Sequence, residues 1–227
     1  MLLARSLFAS TAISLSLMAN AASADLAAAD VWGDWRGYLE GLGYTVTANE
    51  TGNADTLSVS DIAVQVNGGP DVDQLVLRLG TLQFVETADG NVEVVMPATM
   101  PIVIDVTPEK TKKPARIEFS YTQTDQKMIV SGDATEMVYD YTAPSFVLAL
   151  TSLLVDGTAM GQDNARLSIS GTDIQSETTV SLGETRNYAQ IMNVGNVVYD
   201  AFIKNPADVE SLSIASTLES VIITGTT

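Results

Sequence analysis

The chain contains neither cysteine nor histidine. Without histidine there is no Ser-His-Asp triad, no imidazole general base and no imidazole metal ligand. Without cysteine there is no thiolate nucleophile, no cysteine-bound zinc or iron–sulfur cluster, and no disulfide. Basic residues are scarce: 11 Lys and Arg stand against 28 Asp and Glu, for a formal charge of −17. A surface this acidic repels phosphate backbones and anionic headgroups, so nucleic acid is not an expected partner. Gly-x-x-x-x-Gly-Lys-Ser/Thr, Gly-x-Gly-x-x-Gly and Ser-x-x-Lys spacings do not occur.

Three chemistries survive these exclusions. A Ser-Lys dyad would have to be built from partners distant in the sequence. A carboxylate pair could hydrolyse a glycan, but 28 acids offer such pairs everywhere and single out none. Asp71-Val72-Asp73 offers hard oxygen ligands for calcium in a turn, without the spaced ladder and terminal Glu of an EF-hand loop. It reads as a polar turn. No catalytic, cofactor-binding or metal-binding residue is expected.

What is present begins with an export signal. Arg5 supplies a positive start, Leu7 to Ala19 is a short apolar stretch, and Ala22-Ser23-Ala24 is a small-x-small cleavage pattern. Residues 1–24 are therefore read as a signal peptide cut before Asp25, with Ala19-Asn20-Ala21 as the alternative cut. Cleavage removes one Arg and no acid, taking the formal charge to −18. No later run approaches the roughly 20 apolar residues of a spanning helix, so a periplasmic or secreted product is expected.

Residues 25–44 read as an amphipathic helix. Trp32, Trp35, Leu39 and Leu42 share one face, Asp25 or Asp30 suits the N-cap, and Gly41 or Gly43 suits the end. The two Trp residues are expected to pack on a sheet. From Thr45 onward the period changes to two. Leu57 and Val59 give way, one residue out of phase, to Ile62, Val64 and Val66 after Asp61; Leu75, Leu77 and Leu79 slip at Gly80 to Leu82 and Phe84. Such slips predict β-bulges. Further alternation runs through Val92/Val94, Ile102/Ile104/Val106, Ile117/Phe119/Tyr121, Met137/Tyr139/Tyr141, Leu167/Ile169 and Val180/Leu182.

Turns are expected at Asn67 to Pro70, Asp89-Gly90-Asn91, Ser131-Gly132-Asp133, Asp156-Gly157 and Gly171-Thr172-Asp173. Short strands with close turns predict antiparallel meanders. Pro144 to Val155 reads as strand, and Glu184 to Asn193 as a second short helix carrying Tyr188, Ile191 and Met192. Lys110, Lys112 and Lys113 form the one basic cluster and read as a solvated hairpin tip. Leu57-Ser58-Val59-Ser60-Asp61-Ile62 is echoed by Leu167-Ser168-Ile169-Ser170 with Asp173-Ile174, and more faintly by Leu212-Ser213-Ile214-Ala215.

Trp32 to Val46 (WGDWRGYLEGLGYTV), Val130-Ser-Gly-Asp133 with Met137-Val-Tyr139-Asp140-Tyr141, and Leu153-Leu-Val-Asp156-Gly157 resemble domain-of-unknown-function family 2125, alphaproteobacterial exported proteins. The resemblance implies an envelope protein with no assigned reaction. Members are often longer, and the ending at Ile223-Thr-Gly-Thr-Thr227 fits a fragment or a chain lacking its last sheet. The strand pattern is also similar, by analogy of fold alone, to the open curved sheets of bacterial lipid-transport proteins.

The expected fold is mainly β: an extended or curved antiparallel sheet over residues 45–227, with the amino-terminal helix packed on it. A two-sheet sandwich is the alternative. The expected function is a non-enzymatic envelope protein presenting an apolar groove or sheet surface to a lipid or protein partner. The alternatives are a module binding through strand edges and a carboxylate-dependent glycan hydrolase.

Overall fold

The computed structural model describes residues 25–68, 72–204 and 210–226. The expected signal peptide and Asp71 lie outside the described residues. One helix, α1 (Ala28–Gly41), precedes thirteen strands: β1 (Thr45–Gly52), β2 (Thr56–Asn67), β3 (Val72–Leu79), β4 (Leu82–Glu86), β5 (Val92–Val95), β6 (Thr99–Pro108), β7 (Ala115–Thr124), β8 (Lys127–Asp133), β9 (Glu136–Val155), β10 (Thr158–Ala159), β11 (Ala165–Leu182), β12 (Arg186–Lys204) and β13 (Ser211–Thr226). All belong to a single antiparallel sheet, so the sandwich alternative does not hold.

The helix starts and stops for local reasons. The buried Leu26 donates its N–H to the Gly90 carbonyl, which fixes the entering chain against the β4–β5 turn. The N-cap is consequently Ala27, not Asp25 or Asp30, and Asp30 accepts the Ala27 N–H at 3.2 Å from the first turn. At the other end Gly43 adopts φ +84°, its N–H bonds Glu40, and the Tyr44 N–H bonds Leu39. These two bonds form a Schellman stop.

The sheet is simpler than thirteen strands suggest. Strands β4 and β3 lie end to end along one edge of β2: Val59 pairs Leu82 and Ile62 pairs Leu79, with Gly80 and Thr81 between. Likewise β7 and β8 lie end to end along β9, where Ser145 pairs Thr124 and Thr142 pairs Lys127. Between them β6 joins β3 to β7, and β5 joins β4 to β8. The result is an up-and-down meander of nine long rows. Strands β1 and β13 are its free edges among the described residues.

A line of irregularities crosses every row at one level. It runs through the β1 register shift at Thr47–Asn49, then Asp61 (φ 51°), Gly80–Thr81, Met96–Ala98 and Asp125 (φ 44°). It continues through Pro144, Asp173 (φ 54°), Gly195 and Ser220 (φ 53°). A slip of one residue turns a strand's apolar set to the opposite face. Here every row slips together, so the apolar set stays on one face while the sheet bends. Asp, Gly, Pro and Ser tolerate left-handed or unpaired backbone, which is why the line is built from them. Gly195 lets Asp173 approach closely: a Cβ there would sit 3.0 Å from the Asp173 Cβ. The side-chain oxygens of Gln123, Gln126 and Asn196 are buried beside this line without a protein partner among the described residues.

Two expectations fail at this line and one beyond it. Gly171-Thr172-Asp173 is not a turn but the bulge inside the 18-residue β11. The strands are not short, because runs separated by a slip belong to one row, as in the 20-residue β9. Glu184 to Asn193 is not a helix; it is the β11–β12 turn and the start of β12. Tyr188 and Met192 point to the core clusters while Ile191 is 47% exposed, so period two fits where a helical spacing had been read. Ser131-Gly132-Asp133 ends β8, and the turn follows it, with Asp133 accepting the N–H groups of Thr135 and Glu136.

If the left-handed bulge sets the bend, Asp173→Val costs about 1–3 kcal/mol in a urea melt, because a β-branched residue is strained at that φ. Asp173→Gly should stay close to the parent.

Candidate functional site

The bend line divides the sheet's apolar face into two halves with different fates. In the half holding β4, β5 and β8, α1 lies across the face. Trp32 and Trp35 contact Phe84 at ring-centroid distances of 6.1 and 5.5 Å, and Trp35 stacks on Tyr139 at 6.4 Å. Val59, Phe84, Val92, Val94 and Val130 are each fully buried beneath it. The Trp stripe is thus a packing face.

Polar side chains tether the helix at both borders. On one side Trp32 Nε1 donates to Glu50 at 2.8 Å, and Arg36 pairs with the same carboxylate at 3.0 Å. On the other, Asp34 is sealed, with its side chain 1% exposed. It accepts the Tyr139 hydroxyl at 2.7 Å and the Arg186 guanidinium at 2.9 and 3.2 Å. Arg186 also lies 4.4 Å from the Tyr38 ring centroid, a cation–π contact. Burial, then the Asp34 carboxylate, push the Tyr139 phenol well above the ordinary tyrosine range; burial, then the Tyr121 hydroxyl, do the same to Tyr141.

In the other half no helix lies over the face among the described residues: Ile62 and Val64 beside β1 are buried, the rows that follow are half-buried, and Ile203, Leu212 and Ile214 are exposed. Cross-strand partners continue as apolar ladders from one row to the next. Val64 pairs Leu77, Leu77 pairs Ile104, Ile104 pairs Ile117 and Ile117 pairs Leu153. A second ladder runs Ile62, Leu79, Ile102, Phe119, Leu150. Beyond β9 the face continues through Leu167, Ala201 and Ile214, and through Ala165, Ile203 and Leu212. Side chains from β7, β9, β11, β12 and β13 line one hollow of ≈ 240 Å³. Neighbouring rows meet in one hollow only if the face curves inward. Toward the row ends it adjoins a wider hollow of ≈ 550 Å³ lined by Leu153, Val155, Met160, Ile203 and Leu212, with Lys204 and Glu210 at its mouth.

A closer fit of rows is visible at Gly171. A Cβ there would lie 2.4 Å from the Phe146 ring, so glycine makes room for that ring, which stacks on Tyr121 at 6.0 Å. The trough therefore has an apolar floor, bordered at the bend by the helix-covered half and reaching Leu153, Ile203 and Leu212 at the row ends.

The other singled-out residues fall elsewhere. Lys112 pairs with Asp73 and Glu109, and Lys113 with Asp156, at the solvated β6–β7 loop. Asp73 thus serves an ion pair. Among the described residues no group of acids is arranged to hold a metal ion, and no helix is long and apolar enough to cross a membrane. The echo around Asp61 and Asp173 marks two bulges of the bend line, each followed by a buried Ile (Ile62 and Ile174). Sequence reading found the apolar alternation but not that one half would stay uncovered. The available signal was arithmetic: one helix cannot cover nine rows.

No family model, no curated protein and no solved structure matches the chain.

Removing Arg186 leaves the Asp34 carboxylate buried and unpaired. Arg186→Met is expected to cost about 3 kcal/mol by chemical denaturation, and Asp34→Leu in the same chain to recover most of it. Both raised phenols contribute stability that is complete below the ordinary tyrosine pKa of about 10 and is lost as pH rises above it. Between pH 9 and 11 the parent's denaturation midpoint should therefore fall more steeply than that of Tyr139→Phe.

Proposed function

We propose that this chain is a non-enzymatic protein of the cell envelope that shelters the hydrocarbon part of a lipid in its apolar trough. One observation carries the reading: beyond the helix the apolar ladders continue across the rows with no element over them, half-buried from Leu77 to Leu153 and exposed at Val155, Ile203, Leu212 and Ile214, whereas the same face in the other half is sealed by α1. Antiparallel sheets ordinarily turn a polar face to water. An apolar surface with no element over it and exposed Ile and Leu at its end fits a surface that is covered by a partner in use.

The shape supports a chain-like apolar guest. The two ladders carry no charged side chain, and Arg166 at the hollow is paired with Asp200, so the floor offers hydrophobic burial first. Polar groups of the guest are left to the mouth, where Lys204 and Glu210 stand. Sheltering needs no catalytic group. Asp34, the buried carboxylate, has its oxygens engaged by Tyr139 and Arg186, which gives a glycan-hydrolase reading no support. The signal-like sequence of residues 1–24 supports a location where lipids move between membranes, and the resemblance to family 2125 adds only the motifs already quoted.

Titration of delipidated protein with a dansylated fatty acid tests this. Saturable binding with a blue-shifted emission is expected. Ile203→Glu, at an exposed position of the floor, should weaken it at least tenfold, since a charge must then be desolvated against the chain. Absence of saturable uptake, together with no co-purified lipid by mass spectrometry, would remove the reading.

A further inference from the structure

Among the described residues, the sheet's two free edges differ in a way that points to a second partner. Strand β1 is eight residues long, and α1 reaches it through Trp32 and Arg36 at Glu50. Strand β13 has sixteen residues and is exposed along nearly its whole length. It contains no Lys and no Pro, and Glu219 is its one charge. Natural edge strands usually carry such residues to prevent pairing. The trough also runs out onto this edge: Leu212, Ile214 and Leu218 are 57, 45 and 47% exposed on the apolar face.

We propose that β13 is the seam of a two-fold dimer, in which two copies pair the segment Ser211 to Glu219 antiparallel. Its composition selects the register. Centred on Ala215, the pairing sets Leu212 opposite Leu218, so apolar residues meet on the trough side at two places, with Ile214 opposite Ser216 between them. It sets Glu219 opposite Ser211, which keeps the two acids apart. Ser213 then faces Thr217 on the other side of the sheet. An antiparallel two-fold of this kind keeps both apolar faces on the same side, and the two troughs become one continuous floor. Such a contact is self-complementary and closes at two copies.

The register gives a direct test in the purified protein by size-exclusion chromatography with light scattering across a dilution series. The parent is expected to be a dimer that dissociates on dilution. S213K/T217K places like charges opposite each other at two sites and should give a monomer, while S213K/T217E places opposite charges there and should restore the dimer. Neither position lies on the trough floor, so fatty-acid binding per chain should survive in both, which separates failure of the seam from failure of the lipid reading. A parent that is monomeric at all concentrations overturns the proposal. So does a dimer indifferent to S213K/T217K, and so does open-ended growth, which would indicate β13 pairing with β1.

Discussion

Everything in this molecule depends on one-residue slips that occur together across nine rows. A bent sheet with unmatched slips would scatter its apolar residues over both faces. Asp61, Asp125, Asp173 and Ser220 take left-handed backbone, and glycine, proline or a short gap does the equivalent in the rows between. The slips let the sheet curve without losing its two-faced character. Curvature in turn makes an apolar face into a trough.

The two halves then divide the work. Burial under α1 supplies a conventional core, with Phe84, Val59, Val94 and Met137 closed from solvent. That core and long hairpin pairing are the sources of stability visible in a chain without disulfides. The Asp34–Tyr139–Arg186 latch ties the helix to residues more than a hundred positions away, at β9 and at the β11–β12 turn. A buried ion pair of this kind adds little net stability over apolar packing; what it fixes is where the helix sits. The open half gains less burial, a cost consistent with a surface kept for a guest.

Much of the fold was legible because its signals are local. The helix face, its glycine stop and the slips at Asp61 and Gly80 are all written within a few residues. Export, lipid contact and the absence of catalysis are readings of the sequence and of the trough, and the resemblance to family 2125 rests on short motifs that no family model matches. Strand length was misread because a bulge resembles a turn: Gly171-Thr172-Asp173 has turn residues, yet its partners at Ser145 and Asn196 keep the row continuous. The supposed helix at Glu184 to Asn193 failed because Tyr188 and Met192 satisfy both periods, and pairing with β11 decided between them. The Asp34 latch was not legible, since no local signal links a helix aspartate to an arginine at position 186. Nor was the uncovered half, which is a property of the whole sheet.

A cysteine-free chain allows the central claim to be measured one position at a time. In delipidated protein, single Ile203→Cys and Leu212→Cys variants should react with a water-soluble maleimide nearly as fast as the denatured chain, while Val94→Cys beneath the helix stays protected. Equal protection at all three positions would mean that the outer half of the face is sealed, and the trough with it.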